Sequence, residues 1–252
     1  TPMSWCVEGM RFTTEKALGR SWIYAVGMLQ IQEEVSMLPS YILAPTADDC
    51  VLDMCAAPGN KTAQMSVMMQ NRGTLIANDI NYNRLKALGS SIRRLGLMNI
   101  NLTVNNAIGL PVAEPVFDKI LVDAPCSCEG TLRKSANKVL PESGSNSTFM
   151  SNIQLSLLKK AFAVLKPGGS MVYSTCTFSP EENEMVLDKM LHFAEGELTI
   201  EPIVLPGFEV SPGITTWCGQ QLDPCIRHAW RIWPHQNNTG GFFIALLKKK
   251  DR

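Results

Sequence analysis

Short apolar runs alternate along the chain with longer segments whose apolar residues recur at helical spacing. This alternation predicts an α/β fold in which helices connect parallel strands. The predicted strands are Cys50–Met54, Thr74–Ala77, Asn101–Val104, Lys119–Val122 and Met171–Ser174, and the late strands Leu198–Val204 and Gly241–Leu247 are expected to pair antiparallel at the sheet edge. The predicted helices are Asn60–Gln70 with Asn60 as its N-cap, Tyr82–Leu95, Gln154–Leu165 and Glu181–Phe193.

The chain of 252 residues is longer than most single domains, but doubly wound α/β domains often reach this length as one unit. We expect a helical and extended lead-in over residues 1–45, followed by one compact domain over 46–252. The sequence starts at Thr1, and we expect it to be part of a longer protein. Ser135–Thr148 is rich in Ser, Asn, Gly and Pro, which predicts a mobile surface loop that could act as a lid.

The charge balance is neutral, with 23 Lys and Arg against 23 Asp and Glu. A nucleic-acid-binding chain with this balance must cluster its basic residues on one face or rely on a further module. The eight cysteines occur in a chain without a recognisable export signal, so we expect reduced thiols and a cytoplasmic location. No apolar run reaches the roughly 20 residues that span a bilayer, and no membrane association is expected.

The segment Val51–Thr62 predicts a strand, a tight turn of small residues and the start of a helix. Small side chains in such a turn let a ligand approach the backbone. The turn lacks both the dinucleotide-binding glycine pattern and the phosphate-binding loop, which favours a nucleoside without a phosphate chain. Asp79 ends the second strand about 20 residues later, where it could bind ribose hydroxyls; it could equally be a solvated carboxylate or a helix cap.

Two cysteines follow neighbouring predicted strands. Cys126 lies in the segment Asp123–Cys128, and Cys176 lies in Ser174–Thr177, so both should reach the carboxyl edge of the sheet. Thiols at such an edge can serve as nucleophiles. One reaction that requires this is methylation of cytosine at carbon 5, because a soft nucleophile such as a thiolate must first add at carbon 6. Asp123 is placed to meet the charge that develops at ring nitrogen 3. Taken singly, each cysteine would more often be inert, and chemistry alone does not assign their separate roles.

The motifs Asp-Ala-Pro-Cys-Ser at 123–127 and Ser-Thr-Cys-Thr at 174–177 give the chain a specific resemblance. Over nearly its whole length it resembles the Sun-type RNA 5-methylcytosine methyltransferases. The resemblance implies a Rossmann-like class I S-adenosylmethionine-dependent methyltransferase fold, with a mostly parallel seven-stranded sheet and helices on both faces. It also implies S-adenosyl-L-methionine as the cofactor and RNA as the partner, with no obligate protein partner and no metal.

The same resemblance implies roles for individual residues. Cys176 would be the nucleophile, Cys126 would assist release of the methylated RNA, and Lys61 would lie near the target cytosine. Asp79 would hold the cofactor ribose, and Asp123 would meet both cofactor and base. The residues implied to wrap the cofactor are Cys55, Ala56, Ala57, Pro58, Gly59, Asn60 and Lys61.

The chain departs from the family at one position. Where the family usually has an Asp that contacts the adenine amine, this sequence has Asn106, with Asn105 as the second candidate. An amide oxygen still accepts from an amine, so we expect cofactor binding to survive with about 1 kcal/mol less stabilisation. A catalytically weak RNA-binding scaffold is the alternative that this departure and the neutral charge leave open.

Further stretches resemble the branch of the family that acts on small-subunit (16S) ribosomal RNA, with transfer RNA as the alternative substrate; they are Thr1–Cys6, Gln32–Pro39 and Glu129–Lys134. In the last of these, Arg133 and Lys134 could contact phosphates or simply face solvent. DNA cytosine methyltransferases are similar in plan but use the Pro-Cys cysteine as nucleophile, and the second cysteine argues against them.

A redox or metal protein is the remaining class. Cys218, Cys225 and His228 match no structural zinc spacing that we recognise. A disulfide between Cys126 and Cys128 would enclose a single residue and would be strained. We therefore give this class little weight.

Overall fold

A computed structural model describes residues 1–12, 17–134 and 145–251. Part of the predicted loop, residues 135–144, lies outside these ranges, as do the side chains of Arg133, Lys134, Ser145 and Asn146. Across the described ranges, no helix has both the length and the apolar character needed to cross a membrane.

Nine strands of the described chain form one sheet, and two more form a separate hairpin. The strands are β1 (Cys50–Asp53), β2 (Thr74–Asn78), β3 (Ile100–Thr103), β4 (Phe117–Asp123), β5 (Leu165–Thr175), β6 (Leu198–Glu201), β7 (Ser211–Pro212), β8 (Thr216–Trp217), β9 (Gln220–Gln221), β10 (Trp230–Ile232) and β11 (Phe242–Lys249). The helices are α1 (Trp22–Ala25), α2 (Glu34–Leu43), α3 (Asn60–Met68), α4 (Tyr82–Leu95), α5 (Ser145–Val164), α6 (Glu184–Phe193) and α7 (Pro234–Asn237).

The sheet is mostly parallel, as the sequence predicts. Its order is β3-β2-β1-β4-β5-β11-β10-β7, with β6 also paired to β11. The first five strands run parallel, and β11 runs antiparallel to both β5 and β6. The predicted antiparallel pairing of the late strands is confirmed, and β7 and β10 add two short strands to the expected seven.

Helices cover both faces of the sheet because successive strand residues point to opposite sides. In β1, Leu52 packs into a cluster with Leu157 of α5 and Leu187 of α6. Its neighbour Val51 packs into a second cluster with Leu38 of α2 and Met65 of α3. Burial on both faces explains why these strands read as continuous apolar runs rather than alternating ones.

The N-terminal segment packs against the same sheet. The ring of Trp5 makes edge contacts with Tyr41 and Phe208, with ring centroids 5.4 and 6.1 Å apart. Trp5 belongs to the hydrophobic cluster that also contains Val51 of β1. Further along, the Arg94 guanidinium donates to the Tyr24 carbonyl at 2.8 Å and stacks on the Tyr24 ring. These contacts fix the lead-in to the sheet and to the end of α4.

The predicted N-cap of α3 was wrong. The helix begins at Asn60, and the capping residue is Gly59 with φ +109°. The Asn60 side chain instead accepts a hydrogen bond from Gln30 Nε2 at 2.6 Å. Glycine adopts this left-handed conformation without the steric cost of a Cβ. Gly59, and not the polar residue Asn60, is therefore the residue that precedes the first turn of the helix.

Several other boundaries differ from the prediction. The largest difference among the strands is at β5, which begins at Leu165 and not at the predicted Met171. α6 begins at Glu184 and not at the predicted Glu181. The Asn183 side chain, just before the helix, accepts a hydrogen bond from Thr175 Oγ1 of β5 at 2.6 Å, which holds Asn183 outside the helix. β6 ends before Pro202 and does not continue to Val204, since proline has no N–H to donate to the ladder.

The predicted loop Ser135–Thr148 was wrong for its last four residues. The chain is helical from Ser145, so α5 begins well before the predicted start at Gln154. Serine and asparagine favour turns locally, but a tertiary contact favours the helix: Ser147 Oγ lies 2.9 Å from Ser179 Oγ. The predicted lid over 135–144 falls on residues outside the described ranges.

Gly59 carries a testable constraint. A Cβ at this position would lie 2.4 Å from Leu88 Cδ1 of α4, and φ is +109°. We expect Gly59→Ala to lower the free energy of unfolding by about 2–4 kcal/mol, through backbone strain and overpacking. Urea denaturation measures this change. The control is Gly109→Ala, where a Cβ would meet nothing within 4 Å, and we expect a change within about 1 kcal/mol. Equal effects of the two substitutions would contradict the packing argument.

Candidate active site

The chain order of the strands reverses between β1 and β4. From β1 the chain proceeds outward to β3 on one side, and from β4 it proceeds to β5 on the other. The loops after β1 and β4 therefore diverge and leave a crevice at the carboxyl edge, which is the usual ligand position in open α/β sheets. A cavity of about 630 Å³ lies in this crevice. Its volume is in the range typical of small-molecule sites.

Asp79 lines this cavity with a side chain that is only 4% exposed. Its Oδ2 accepts from the Ala57 N–H at 3.1 Å, and its Oδ1 accepts from the Asn81 N–H at 2.8 Å. Each carboxylate oxygen has two lone pairs, so each can accept a second hydrogen bond from a ligand. The helix-cap interpretation was wrong because Asn81 caps α4, and burial excludes the solvated-carboxylate interpretation.

The turn after β1 contributes four of its seven predicted residues to the cavity, namely Cys55, Ala57, Pro58 and Lys61. The other three, Ala56, Gly59 and Asn60, do not line it. Arg84 supports the turn: its Nη2 donates to the Ala57 carbonyl at 2.6 Å, and its Nη1 lies 3.9 Å from Asp79 Oδ2. Sequence analysis missed this arginine, which also lines the cavity.

Asn106 lines the cavity, and Asn105 does not. The Asn106 Oδ1 accepts from the Ile108 N–H at 3.1 Å and caps a short 3-10 turn. The Asn78 side chain instead binds the Asn105 backbone: its Nδ2 donates to the Asn105 carbonyl, and its Oδ1 accepts from the Asn105 N–H. Of the two candidates for the adenine contact, the structure therefore brings only Asn106 to the cavity.

Asp123 ends β4 with both carboxylate oxygens engaged. Lys61 Nζ, from the first turn of α3, lies 2.7 Å from its Oδ2, and Ser174 Oγ donates to its Oδ1 at 2.7 Å. The Lys61 ammonium also lies 5.3 Å from the centroid of the Phe242 ring. The two predicted residues Lys61 and Asp123 thus form a half-buried ion pair on the cavity wall.

The two predicted cysteines meet in the same cavity. Cys126 Sγ lies 3.4 Å from Cys176 Sγ. Hydrogen bonds with the thiols of Cys128 and Cys176, together with burial, raise the pKa of Cys126 well above its usual range. The hydrogen bond with Cys126 lowers the pKa of Cys176, but the Cys128 thiol and burial outweigh it and raise that pKa to about 12. Both thiols are therefore protonated at neutral pH, and attack requires one of them to lose its proton.

Backbone contacts join the two cysteine-bearing loops. The Gly130 N–H donates to the Cys176 carbonyl at 2.8 Å, and the Gly130 carbonyl accepts from the Gly241 N–H at 2.9 Å. A Cβ at Gly130 would lie 2.3 Å from the Gly241 carbonyl oxygen. Glycine at 130 is what lets the three segments approach this closely.

Buried polar side chains also stabilise the two loops that carry Cys126 and Cys176. The Glu182 Oε2 accepts from the Ser127 N–H at 3.1 Å and from Gln154 Nε2 at 2.9 Å. The Asn183 Nδ2 donates to the Thr177 carbonyl at 3.1 Å. Glu182 therefore anchors the loop that carries Cys126, and Asn183 anchors the loop that carries Cys176.

A buried ion pair extends this support to the late strands. Arg231 of β10 contacts the Glu184 carboxylate with two hydrogen bonds of 2.5 Å each. Its Nη1 also donates to the Phe178 carbonyl at 3.0 Å, two residues beyond Cys176. Sequence analysis does not assign Glu182, Asn183, Glu184 or Arg231 to the site. For the first three, a run of polar residues at the start of an otherwise apolar helix was a usable signal.

Other residues considered in the sequence lie outside the described side chains or outside the cavity. The side chains of Arg133 and Lys134 fall outside the described residues. Cys218, Cys225 and His228 form no ligand group within the part of the chain that the structure describes. All eight cysteines are described, and none forms a disulfide.

Comparison with known proteins decides the family. The profile described as "16S rRNA methyltransferase RsmB/F" matches residues 40–248. The chain belongs to this family. Its class I S-adenosylmethionine-dependent methyltransferase fold and its resemblance to Sun-type RNA cytosine methyltransferases are thereby confirmed.

Relatives in the RsmB/F family carry two kinds of name. A "tRNA (cytosine(49)-C(5))-methyltransferase" of Pyrococcus abyssi is 38% identical over 226 residues, covering 90% of this chain and 72% of the relative. A "Ribosomal RNA small subunit methyltransferase F" of Erwinia tasmaniensis is 34% identical over 256 residues, covering 99% of this chain and 52% of the relative. The chain thus spans about half the length of the ribosomal RNA relatives that it matches.

A solved structure of the same family has the same fold. It is NSun6 from Pyrococcus horikoshii with SFG, which superposes with a TM-score of 0.81 at 33% sequence identity. The match covers 94% of this chain and 57% of that one. The RsmB/F family is one of RNA cytosine carbon-5 methyltransferases with S-adenosylmethionine as cofactor, and this chain has its catalytic fold.

Asp53, at the end of β1, is a buried carboxyl beneath the site and gives a pH-dependent prediction. Burial raises its pKa from 3.8 to about 7, the hydrogen bond from Thr62 Oγ1 at 2.7 Å opposes this rise, and the charge of Asp123 adds to it. A carboxyl with a raised folded-state pKa binds more protons in the folded state. Its contribution to stability is therefore present at low pH and is lost as the pH rises towards the folded-state pKa.

We expect Asp53→Asn to gain stability relative to the parent chain as the pH increases. The difference in the free energy of unfolding should grow by roughly 2–3 kcal/mol between pH 5 and pH 8, because only the parent must ionise a buried group. Urea denaturation of both proteins across this range measures it. A difference that does not change with pH would show that Asp53 ionises as easily in the folded chain as in the unfolded one.

Proposed function

We propose that this chain methylates carbon 5 of a cytosine in RNA, with Cys176 as the nucleophile. The observation that supports this most directly is the approach of two thiols, from the ends of neighbouring strands, to 3.4 Å beside the Lys61–Asp123 pair. A cysteine pair of this kind allows one thiol to attack the base while the other assists the later elimination.

The cavity fits S-adenosylmethionine. Asp79 is a buried carboxylate able to accept from ribose hydroxyls, and Asn106 offers an amide oxygen to the adenine amine. The small residues Ala57 and Pro58 leave room beside them. When bound, the cofactor supplies a methyl group on a positively charged sulfur, and the carboxylate of Asp123 on the cavity wall favours that charge.

The chain's own residues account for the remaining steps. Cys176 passes its proton to the Asp123 carboxylate and adds to carbon 6 of the ring, and the displaced electron pair moves to ring nitrogen 3. The Lys61–Asp123 pair then delivers that proton to nitrogen 3. Carbon 5 gains the methyl group. Nitrogen 3 then returns its proton to Asp123 and carbon 5 releases its own proton to solvent. The electron pair of the broken C–H bond forms the ring double bond and expels Cys176 as a thiolate, which takes its proton back from Asp123. Cys126 assists this last step from its position beside the nucleophile.

The proposed substrate is small-subunit ribosomal RNA, with transfer RNA as the second candidate. Support comes from relatives named as ribosomal RNA methyltransferases, such as those of Erwinia tasmaniensis and Shewanella oneidensis, and from the branch-specific stretches of the sequence. The archaeal transfer RNA enzyme, at 38% identity, supports the second candidate. Arg133 and Lys134, which follow the Cys126 loop, are proposed to contact phosphates. We also propose a cytoplasmic location, because the eight cysteines form no disulfide and reduced thiols are typical of that compartment.

Single substitutions of the two cysteines separate their roles. We expect Cys176→Ala to abolish methylation, because no adduct forms. We expect Cys126→Ala to allow addition and methyl transfer but to trap the covalent RNA adduct. The measurement is a denaturing gel of the Cys126→Ala variant incubated with S-adenosylmethionine and total bacterial RNA, followed by sequencing of the trapped RNA.

The double variant Cys126→Ala/Cys176→Ala is the control and should show no shifted band. A Cys126→Ala variant that turns over like the parent would contradict the role of Cys126. Loss of the band with intact cofactor binding would favour the alternative of a catalytically weak RNA-binding scaffold.

A second prediction concerns the adenine contact. Asn106→Asp should tighten S-adenosylmethionine binding by about 1 kcal/mol, or about fivefold in Kd, because a charged acceptor strengthens the hydrogen bond from the amine. Aspartate can also cap the 3-10 turn as Asn106 does, so the fold should be retained. Isothermal titration calorimetry measures the change, with Asn105→Asp as the matched control. A gain in the control instead would place the adenine contact at Asn105.

A further inference from the structure

A third thiol completes a cluster beside the two proposed catalytic cysteines. Cys128 Sγ lies 3.9 Å from Cys126 Sγ, which in turn lies 3.4 Å from Cys176 Sγ. All three sulfur atoms lie within 4.8 Å of one another, and all three residues line the cavity. The proposed methyl transfer uses two thiols and gives Cys128 no role.

The backbone determines where the third thiol points. Cys128 has φ +62°, a left-handed conformation that non-glycine residues adopt at a cost. In this conformation its Sγ lies 3.2 Å from the Cys126 carbonyl oxygen, and the side chain turns back toward the other two sulfurs. The turn after β4 therefore supplies two thiols, and the end of β5 supplies the third.

The spacing suits a metal ion with sulfur ligands. Zinc binds thiolate sulfur at about 2.3 Å, which places the sulfurs of a tetrahedral site about 3.8 Å apart. The Cys126–Cys176 and Cys126–Cys128 sulfur separations, at 3.4 and 3.9 Å, bracket this value. Thiolates are also the ligands that select soft or borderline cations over calcium and magnesium. Small side-chain movements would bring all three sulfurs onto one ion.

We propose that Cys126, Cys128 and Cys176 bind one Zn²⁺ ion and that this ion inhibits methylation. Each ligating thiol releases one proton to solvent and donates a sulfur lone pair to the metal, so no oxidant or reductant takes part. The fourth position faces the cavity and takes a water molecule. A zinc-bound Cys176 has its lone pair occupied and cannot add to carbon 6 of a cytosine.

The binding part of this proposal is independent of the proposed function, and the inhibition part rests on it. Metal binding is measured first, on the intact chain under a non-thiol reductant, after a thiol titration has confirmed eight reduced cysteines. Co²⁺ is the probe, because thiolate ligation gives a charge-transfer band in the near ultraviolet. Competition of Zn²⁺ against that band gives the zinc affinity.

Cys128→Gly is the informative variant, because glycine adopts φ +62° without strain and the fold should be retained. Cys218→Gly is the matched control: Cys218 is an exposed cysteine that also has positive φ, at +48°, and it lies outside the cluster. We expect the parent and Cys218→Gly to bind one equivalent of Co²⁺ with the thiolate band. Loss of a residue that binds the metal directly weakens affinity at least as much as loss of a residue that only supports a ligand. Cys128→Gly should therefore bind Zn²⁺ at least about 10-fold more weakly than the parent.

The second measurement is the ratio of methylation rates with and without Zn²⁺, taken separately for each protein. Zn²⁺ should lower this ratio steeply for the parent and for Cys218→Gly. At the same zinc concentration, the factor by which it lowers the ratio of Cys128→Gly should be at least about 10-fold smaller. The proposal is overturned if the parent shows no thiolate band, or if Cys128→Gly keeps the parent's zinc affinity. If the parent binds Zn²⁺ but shows no methylation with or without it, the metal site is supported and the proposed function is contradicted.

Discussion

The parallel pairing of β4 with β5 is the constraint on which the site depends. Their register places Asp123 opposite Ser174, and the hydrogen bond between these two side chains closes the pair at its carboxyl end. Cys126 follows three residues after Asp123, and Cys176 follows two after Ser174. A shift of one residue in this register would turn one cysteine to the other face of the sheet. The 3.4 Å approach of the sulfurs is thus a consequence of main-chain hydrogen bonding rather than of any direct attraction between thiols.

The apolar core supports this pairing, but it does not by itself shape the site. Residues along β1, β4 and β5 alternate between two hydrophobic clusters, so both faces of the sheet are closed by helices. At the carboxyl edge the side chains become polar, and Glu182, Asn183 and Glu184 are fully buried there. Buried carboxylates and amides are costly unless they are hydrogen-bonded. Here they bind the loops that carry the cysteines, which gives those loops one defined geometry.

Much of this arrangement could be predicted from the sequence, and the limits have physical reasons. Apolar runs located β1 to β4 to within two residues, because burial on both faces leaves a strong signal, whereas β5 begins at Leu165 and not at the predicted Met171. The two cysteine motifs predicted that Cys126 and Cys176 meet at the carboxyl edge, because strand ends of a parallel sheet share an edge, and the structure brings their sulfur atoms to 3.4 Å. The start of α5 was missed because local preferences of Ser and Asn favour a turn, whereas a contact with Ser179 favours the helix. The supporting residues, such as Arg231, were missed because their partners are distant in sequence and only the fold brings them together.

The ion pair between Arg231 and Glu184 also bears on the order in which the chain acquires its structure. Arg231 binds the Phe178 carbonyl just beyond Cys176, and Gly241 binds Gly130 between the two cysteine loops. Gly240 also donates to the side chain of Glu33, a contact that links positions 207 residues apart. Synthesis proceeds from the N-terminus, so these late residues leave the ribosome after the turn that follows β1 and after both cysteines. Gly240, Gly241 and Phe242 also line the cavity, so a nascent chain completes neither the cavity wall nor the contacts that hold the two cysteine loops until its last strands have docked.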